Sequence, residues 1–266
     1  MTFHSLFELN YLWLPLIGFI VGFCGAVIGG GGGFFFLPVL ILLFDVPAQV
    51  AVPTSLAATI PVCIAGSVAH HRKNNLHLPT GIIFAVAGVF GAMSGAGITS
   101  LITETQLQIS FGVYSILMAL QMLFGLWKEN RAKTKGKRLK PLKKSTLYLR
   151  GSLYGFLGGI ITGTFGTSGI APVMAGMFSL RMPLKLVIGT SLIVVCANTL
   201  SALGAHFMVG EIDLTLVYFL TVGTIIGALT GPVVLAGVKL DNAESPVRKW
   251  FALAMIAFGV VMIVTK

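Results

Sequence analysis

Residues 51–73 read AVPTSLAATIPVCIAGSVAHHRK and residues 187–209 read VIGTSLIVVCANTLSALGAHFMV, so Thr-Ser-Leu and Ala-His recur at a spacing of 136 positions. The loop after the first stretch (HRKNN, 71–75) is basic, whereas the loop after the second holds Glu211 and Asp213 and neither Lys nor Arg. Basic loops of membrane proteins stay on the cytoplasmic side. We therefore interpret the two stretches as one unit that occurs twice, in opposite orientations across a membrane.

The composition supports a membrane location. Hydrophobic residues make up 56% of the chain and charged residues 10%, whereas soluble domains carry about 25% charged residues. The net charge of +10 is concentrated, because ten of the 18 Lys and Arg residues lie between Lys128 and Arg150. A basic run between apolar segments is typical of a cytoplasmic loop rather than of a nucleic-acid-binding surface. We therefore exclude a soluble role, and we expect the lipid bilayer and no nucleic acid as a partner.

Apolar windows of about 20 residues, the length that crosses a bilayer, divide the chain into segments. Six windows are uninterrupted, near 50–69, 79–101, 105–127, 186–206, 214–236 and 247–265. Two further regions, 11–44 and 148–180, contain a glycine-rich break (Gly29–Gly33 and Thr162–Gly169) followed by a short apolar piece. We predict an all-α integral membrane protein of two inverted repeats with about five segments each. The first two segments of each repeat form a broken or re-entrant helix pair.

The charges give these segments a topology. With the 128–150 loop in the cytoplasm, counting segments in both directions places seventeen of the 18 basic residues on the cytoplasmic side and only Lys266 outside. We therefore predict a multi-pass protein of the cytoplasmic membrane with both termini outside. Its predicted parts are a first membrane repeat (1–127), a basic cytoplasmic linker (128–147) and a second, inverted membrane repeat (148–266).

The two predicted breaks are the expected binding site. Non-helical backbone at membrane depth is tolerated where it lines a cavity, and such breaks at corresponding places of inverted halves mark substrate sites in transporters. Glycines let the backbone N–H groups approach an anion, and hydroxyls near helix starts can donate to it. The residues predicted to bind substrate are Gly29, Gly30, Gly31, Gly32, Gly33, Thr54, Ser55, Thr164, Gly166, Thr167, Ser168, Thr190, Ser191 and Asn198. The alternative is that the glycines only permit close helix packing and the hydroxyls only bond to helical carbonyls.

The repeated histidines are a separate candidate. His70 and His206 lie at helix ends on opposite sides of the predicted membrane, where a histidine can act as a proton-linked gate or serve as an ordinary interfacial residue. No Asp, Glu, Lys or Arg lies well inside a predicted spanning segment. Recognition by dipoles and hydroxyls suits a small anion better than a cation. We therefore expect no metal ion, no cofactor and no catalytic residue.

The order of these motifs resembles the TauE/SafE family, also called TSUP or DUF81, of sulfite and organosulfonate exporters. The resemblance is carried by the glycine-rich stretch Gly25–Gly33, by Pro38, by the Ala-Val-Pro-Thr-Ser-Leu motif at 51–56 and by its repeat Ile-Gly-Thr-Ser-Leu at 188–192. It covers roughly residues 12–264. The resemblance implies a secondary transporter that exports small sulfur-containing anions such as sulfite or sulfoacetate across the cytoplasmic membrane by alternating access.

Rival readings remain open at this point. One is a passive anion channel built on the same cavity, and another is an importer of a related anion such as thiosulfate. Related thiosulfate importers use membrane cysteines, whereas Cys24, Cys63 and Cys196 do not form a repeated set here. A membrane-embedded enzyme would need acidic clusters for Mg²⁺ or a His/Arg constellation, so we expect no enzyme. A homodimer is left open, because close-packing glycines serve contacts within one chain and between two chains alike.

Overall fold

The protein is described by a computed structural model. The described backbone covers residues 2–3, 8–28, 33–132, 144–209, 212–236 and 240–265. Within it, a 3₁₀ helix at Leu9–Trp13 is followed by ten α-helices: α1 Leu14–Ile28, α2 Phe36–Phe44, α3 Ala48–Arg72, α4 Leu78–Thr99, α5 Glu104–Ala132, α6 Lys144–Phe165, α7 Ile170–Ser179, α8 Leu184–Val209, α9 Leu214–Ala236 and α10 Leu240–Val264. The prediction of an all-α membrane protein is confirmed.

A short pair of strands is the exception to the helical pattern. The strands β1 (Thr2–Phe3) and β2 (Ile212–Asp213) pair in parallel, with Thr2 opposite Ile212 and Phe3 opposite Asp213. This pair ties the start of the chain to the segment between α8 and α9. The pair could not be predicted from the sequence, since strands of two residues are too short to show an alternation of apolar and polar side chains.

Helix length separates two kinds of membrane segment. Among the described residues, four stretches are long and apolar enough to cross a membrane: Ala48–Arg72, Leu78–Thr99, Glu104–Gly125 and Lys185–Met208. By contrast, α2 has nine residues and α7 has ten. At about 1.5 Å per residue, neither reaches more than about half of a hydrocarbon core of about 30 Å. They therefore have the length expected of the short pieces that follow the two breaks.

The second break is shorter than predicted. We expected unwound backbone from Thr162 onward, but α6 continues to Phe165 and only residues 166–169 are non-helical. The Thr162 hydroxyl donates to the Gly158 carbonyl within the helix at 2.8 Å. Gly163 lies directly against α4, where a Cβ would be 2.7 Å from the Ala96 nitrogen. The first half of this Gly/Thr run therefore serves helix packing, and the expectation of a break there was wrong.

Glycines bring two pairs of helices into close contact. In the pair α4–α6, a Cβ at Gly91 would lie 3.0 Å from the Ile160 nitrogen, and one at Gly155 would lie 2.9 Å from Phe84 Cα. In the pair α1–α9, a Cβ at Gly22 would lie 2.9 Å from Thr224 Cα. Small residues let membrane helices approach until backbone touches backbone, which gains dispersion energy where lipid offers no hydrophobic driving force.

The helix partners repeat between the two halves of the chain. α4 packs against α6 and α8, and the corresponding helix α9 packs against α1 and α3. The remaining large contacts, α3 with α8 and α5 with α10, join helices that correspond to each other. This is the pattern that a two-fold relation between α1–α5 and α6–α10 produces. The folded contacts thus follow the same division of the chain as the 136-residue spacing.

Two glycines of α4 provide a matched test of the packing. We expect Gly95→Ala to destabilise the fold by about 1–3 kcal/mol, the usual cost of overpacking, because its Cβ would clash with the Ile160 carbonyl and lie 2.9 Å from the Thr164 nitrogen. Gly97→Ala meets no atom within 4 Å, and removing a helical glycine should stabilise by a few tenths of a kcal/mol. Thermal unfolding in detergent measures both, and equal midpoints would contradict the assigned packing.

Candidate functional site

The two predicted breaks meet inside the helix bundle. A Cβ built on Gly33, at the end of the first break, would lie 3.4 Å from the backbone nitrogen of Ser168 in the second break and 3.1 Å from Thr59 Cγ2. Thr59 is the twelfth of the 25 residues of α3. The breaks therefore meet at half the length of a membrane-spanning helix. Gly29–Gly32, which we predicted to be part of the site, lie outside the described residues.

The second break is held against α3 by Ser55. The Ser55 hydroxyl lies 2.7 Å from the Gly166 carbonyl and 2.8 Å from the Val52 carbonyl, so its single proton can be donated to either. Gly166 has φ +64° and Gly169 has φ +51°, which are left-handed conformations that favour glycine. The two glycines thus determine the backbone direction through the break, and the Ser55 hydroxyl binds the Gly166 carbonyl to the spanning helix α3.

An aromatic cluster holds both breaks against α5. Phe34, which follows Gly33, lies 5.4 Å from Phe111 between ring centroids. Phe165, which precedes the second break, lies 5.7 Å from Phe111 and stacks on Tyr114 at 5.5 Å with an interplanar angle of 17°. Aromatic pairs at these separations contribute about 0.5–1.5 kcal/mol beyond their buried area. The breaks are thereby fixed to a second spanning helix through apolar contacts.

The repeated threonines are bonded to the opposite half of the chain. The Thr54 hydroxyl donates to the Val50 carbonyl at 2.6 Å and accepts a bond from the backbone N–H of Asp213 at 3.1 Å. The Thr190 hydroxyl accepts a bond from the backbone N–H of His77 at 2.9 Å. The two contacts are related by the same spacing of 136 residues, since Thr190 corresponds to Thr54 and Asp213 corresponds to His77. Both threonines thus have a structural partner at a helix start.

Two further residues of the predicted site also have protein partners. The Ser191 hydroxyl donates to the Ile188 carbonyl at 2.9 Å. The Thr164 hydroxyl donates to the Gly95 carbonyl at 3.2 Å, and the Thr164 carbonyl accepts from Thr99 at 2.9 Å. These bonds fasten α8 to itself and α6 to α4.

Three fully buried polar side chains among the described residues, in contrast, have no hydrogen-bond partner in the protein, while Ser67, His70 and Thr221 have an unpaired buried atom but are only half-buried. The fully buried three are Thr167, through its hydroxyl, Asn198, through both amide atoms, and Thr199, through its hydroxyl. Their exposed fractions are 1%, 0% and 0%. Leaving such a group unpaired costs about 1–3 kcal/mol, so buried polar atoms without a protein partner are candidates for contact with a ligand. Thr167 and Asn198 were predicted, and Thr199 was missed.

Asn198 occupies space that a glycine provides. A Cβ on Gly88 of α4 would clash with Asn198 Oδ1 and lie 2.8 Å from Asn198 Cγ. The amide therefore lies in the contact between α8 and α4. At the corresponding position of the first half, Val62 is packed in an apolar cluster with Ala228. An amide thus stands where the repeat has an isopropyl group.

The repeated histidines have different surroundings. His206 is buried, with an exposed fraction of 3%, and its Nε2 lies 2.8 Å from the Gly163 carbonyl, to which it can donate. His70 is half-buried in the last turn of α3, and its Nδ1 has no partner. Among the residues that the structure describes, no group of three His, Cys, Asp or Glu side chains could hold a metal ion.

Several residues of the site escaped the sequence analysis. His77 and Asp213 are a repeated pair, but they differ in type, and a search for identical residues does not find them. Thr59 looked like one of many threonines in an apolar helix. A comparison of helix starts, rather than of residue identities, would have found the first two, because each precedes the fourth helix of its half.

Half-length helices whose breaks meet inside a bundle of spanning helices define a multi-pass membrane protein of the transporter class. The family model described as "Sulfite exporter TauE/SafE" matches residues 14–262. The chain belongs to this family. Its membership also confirms the resemblance drawn from the glycine-rich and Thr-Ser motifs, and it assigns the chain to transporters and not to enzymes.

Curated relatives agree with this assignment. The chain is 30% identical to the probable membrane transporter protein YdhB of Bacillus subtilis (strain 168) over 219 residues, which cover 81% of this chain and 85% of the relative. It is 29% identical to a probable membrane transporter protein of Xylella fastidiosa (strain Temecula1) over 250 residues, 92% of each chain. A third relative, the probable membrane transporter protein YunE of Bacillus subtilis, is 25% identical over 228 residues. No solved structure matches the chain.

Proposed function

We propose that the protein is a secondary transporter that exports a small sulfur-containing anion of the sulfite or sulfonate class across the cytoplasmic membrane. The family description supports the substrate class. The proposed parts are two inverted membrane repeats, 1–127 and 148–266, joined by the basic cytoplasmic linker 128–147, with both termini outside. The repeated helix partners and the distribution of basic residues support this arrangement.

The observation that carries the proposal is the meeting of the two breaks next to Thr59, at half the length of α3. Backbone that leaves a helix at this depth must be buried in protein or line a cavity. The fully buried described side chains with unpaired polar atoms are two hydroxyls and an amide: Thr167 in the second break itself, and Asn198 and Thr199 in α8, which packs against α3. Neutral donors of this kind bind an anion without the strong attraction of a fixed positive charge, so the anion can also leave.

Within the predicted site we assign two roles. Thr167 and Asn198 contact the anion, together with backbone N–H groups of the breaks, Gly29–Gly33 and Thr167–Ser168. The Gly166 N–H already donates to the Thr162 carbonyl at 3.0 Å, so Gly166 shapes the break rather than binding the anion. The hydroxyls of Thr54, Ser55, Thr164, Thr190 and Ser191 hold helices in place, since each already has a protein partner. His70 and His206 are the proposed proton-linked gates at the two ends.

Ligand-induced stabilisation tests the site. Sulfite at about a hundred times its dissociation constant should stabilise the folded protein by about 2.7 kcal/mol, a rise of about 5 °C in thermal midpoint for a chain of this size. The Thr167→Val variant should lose most of this rise, because it lacks the hydroxyl that contacts the anion.

The matched control is Thr230→Val. The Thr230 hydroxyl is bonded only within its own helix, at 2.9 Å to the Ile226 carbonyl and 3.1 Å to that of Gly227, so this variant should keep the full shift. An equal shift from chloride, or no shift from sulfite, would contradict the proposed substrate class. An unchanged shift in Thr167→Val would contradict the role of Thr167.

A further inference from the structure

Two hydrogen bonds join the halves of the chain in equivalent ways. We call the bond from the Asp213 N–H to the Thr54 hydroxyl, 3.1 Å, the Asp213 latch, and the bond from the His77 N–H to the Thr190 hydroxyl, 2.9 Å, the His77 latch. Each latch connects the first turns of the third helix in one half with the residue that directly precedes the fourth helix in the other half. The two latches are equivalent in the two halves, because Thr54 corresponds to Thr190 and His77 corresponds to Asp213.

The side chains of Asp213 and His77 position the donors of these bonds. Asp213 Oδ1 accepts from the backbone N–H groups of Thr215 and Leu216, at 2.9 and 3.1 Å, in the first turn of α9. His77 Nδ1 lies 2.8 Å from the Thr80 hydroxyl and 3.4 Å from the Thr80 nitrogen, in the first turn of α4. Each residue thus caps its helix. The cap fixes the backbone in the conformation that aims its own N–H at a threonine.

The latches lie at opposite ends of the bundle. The Asp213 latch joins the start of α3 to the segment after the end of α8, and the His77 latch joins the start of α8 to the segment after the end of α3. α3 and α8 are therefore antiparallel. The 18 residue steps from Thr54 to Arg72, the last residue of α3, span roughly 27 Å at about 1.5 Å each. The meeting point of the two breaks, at Thr59, lies along α3 between the two latches.

We propose that the latches are two hydrogen-bonded gates of the transporter, distinct from the proton-linked gates proposed at His70 and His206, and that each closes one end of the path between the halves. This inference rests on the proposed transport function. Both latches are formed in this structure, so it represents a state closed at both ends. A net hydrogen bond contributes about 1 kcal/mol, which is small enough for one latch to open while the other holds. Alternating access then consists of opening the Asp213 latch and the His77 latch in turn.

The His77 latch has a second contact that its counterpart lacks. A Cβ on Gly189, the residue before Thr190, would clash with the Asn75 carbonyl and lie 3.1 Å from His70 Cβ. The position that corresponds to Gly189 in the other half holds Pro53. A methyl group at Gly189 should therefore separate α8 from the 70–77 segment and open the His77 latch without touching Thr190.

Side-specific labelling tests the gates. In a chain whose three native cysteines are replaced, Thr167→Cys places one thiol in the second break, where Thr167 has an exposed fraction of 1%. A membrane-impermeant methanethiosulfonate is then added to one face of sealed vesicles of known orientation. We expect Thr54→Val to raise the labelling rate roughly five-fold from one face only, and Thr190→Val to raise it roughly five-fold from the other face only, the effect of losing one hydrogen bond.

Conservative variants are the controls. Thr54→Ser and Thr190→Ser retain the hydroxyl that accepts the latch hydrogen bond, so their thiols should be labelled at the rate of the parent protein. Where a valine variant does not insert, Asp213→Ala and Gly189→Ala open the same two latches by other means, and Asp213→Asn, which can still cap α9, should remain closed. Labelling that rises from the same face in both valine variants, or in neither, overturns the inference.

The gates and the transport function fail separately. If the wild-type protein exchanges sulfite while the valine variants show no side preference, the latches are only structural and the proposed function stands. If the variants open opposite faces but no sulfite exchange occurs, the gates stand and the substrate assignment falls.

Discussion

Gly166→Ala should reduce sulfite exchange to background, roughly a hundred-fold or more below wild type. Gly166 has φ +64°, and a residue with a Cβ loses about 1–2 kcal/mol in this conformation. The added Cβ would also clash with the Val52 carbonyl and lie 2.5 Å from the Ser55 hydroxyl oxygen. The break must then move away from α3, which displaces the backbone N–H groups proposed to bind the anion. Initial rates in proteoliposomes measure the loss.

The loss has to be separated from misfolding. Size-exclusion profiles and thermal midpoints of Gly166→Ala, compared with Gly97→Ala, whose Cβ meets nothing within 4 Å, establish whether the variant is folded. We expect Gly166→Ala to be folded, with a modestly lowered thermal midpoint, since the surrounding helices are held by contacts outside the break. Wild-type rates in Gly166→Ala would contradict the proposed site.

Asn198→Leu should have opposite effects on stability and on binding. Both amide atoms of Asn198 are buried without a protein partner, which costs about 1–3 kcal/mol. Leucine has nearly the same shape and fits the apolar character that Val62 shows at the corresponding position. We expect the free energy of unfolding to rise by about 1–2 kcal/mol, which a higher thermal midpoint would show. We also expect the apparent affinity for sulfite to fall at least ten-fold, because a hydrogen bond to a charged ligand contributes about 1.5–3 kcal/mol.

The matched control for Asn198 is Ser201→Ala in the same helix. The Ser201 hydroxyl is already bonded to the Val89 carbonyl at 3.3 Å, so its removal should slightly destabilise the protein and leave affinity unchanged. Stabilisation in Asn198→Leu with unaltered affinity would show that the amide serves no ligand. Destabilisation would show that its partner in the fold is still unidentified.

The broad architecture is readable from the sequence because it depends on one-dimensional signals. Hydropathy and length place the long helices, and the spacing of 136 residues between 51–73 and 187–209 pairs α3 with α8. The glycine run at 29–33 and the Gly/Thr run before Ile170 locate the short helices α2 and α7. The family assignment follows from the same motifs.

The site is less readable because hydrogen-bond partners are not encoded locally. Thr54 and Thr190 looked like ligand donors, and only the fold reveals that each accepts a bond from a residue of the other half, 159 and 113 positions away. Thr199, in contrast, was not predicted to be part of the site, although its buried hydroxyl has no hydrogen-bond partner in the folded protein. Residues 162–165 are helical although glycine and threonine have low helix propensity, because Gly163 packs directly against Ala92 and Ala96 of α4.

Counterflow of radiolabelled sulfite in proteoliposomes of the purified protein tests the central claim most directly. Vesicles loaded with unlabelled sulfite should transiently accumulate label above its equilibrium level, and sulfoacetate should suppress this overshoot while chloride does not. Gly166→Ala vesicles are the negative control. Label that enters only to equilibrium, with or without sulfite inside, would contradict a carrier and favour a channel, and no sulfite movement through the folded protein would contradict the proposed substrate.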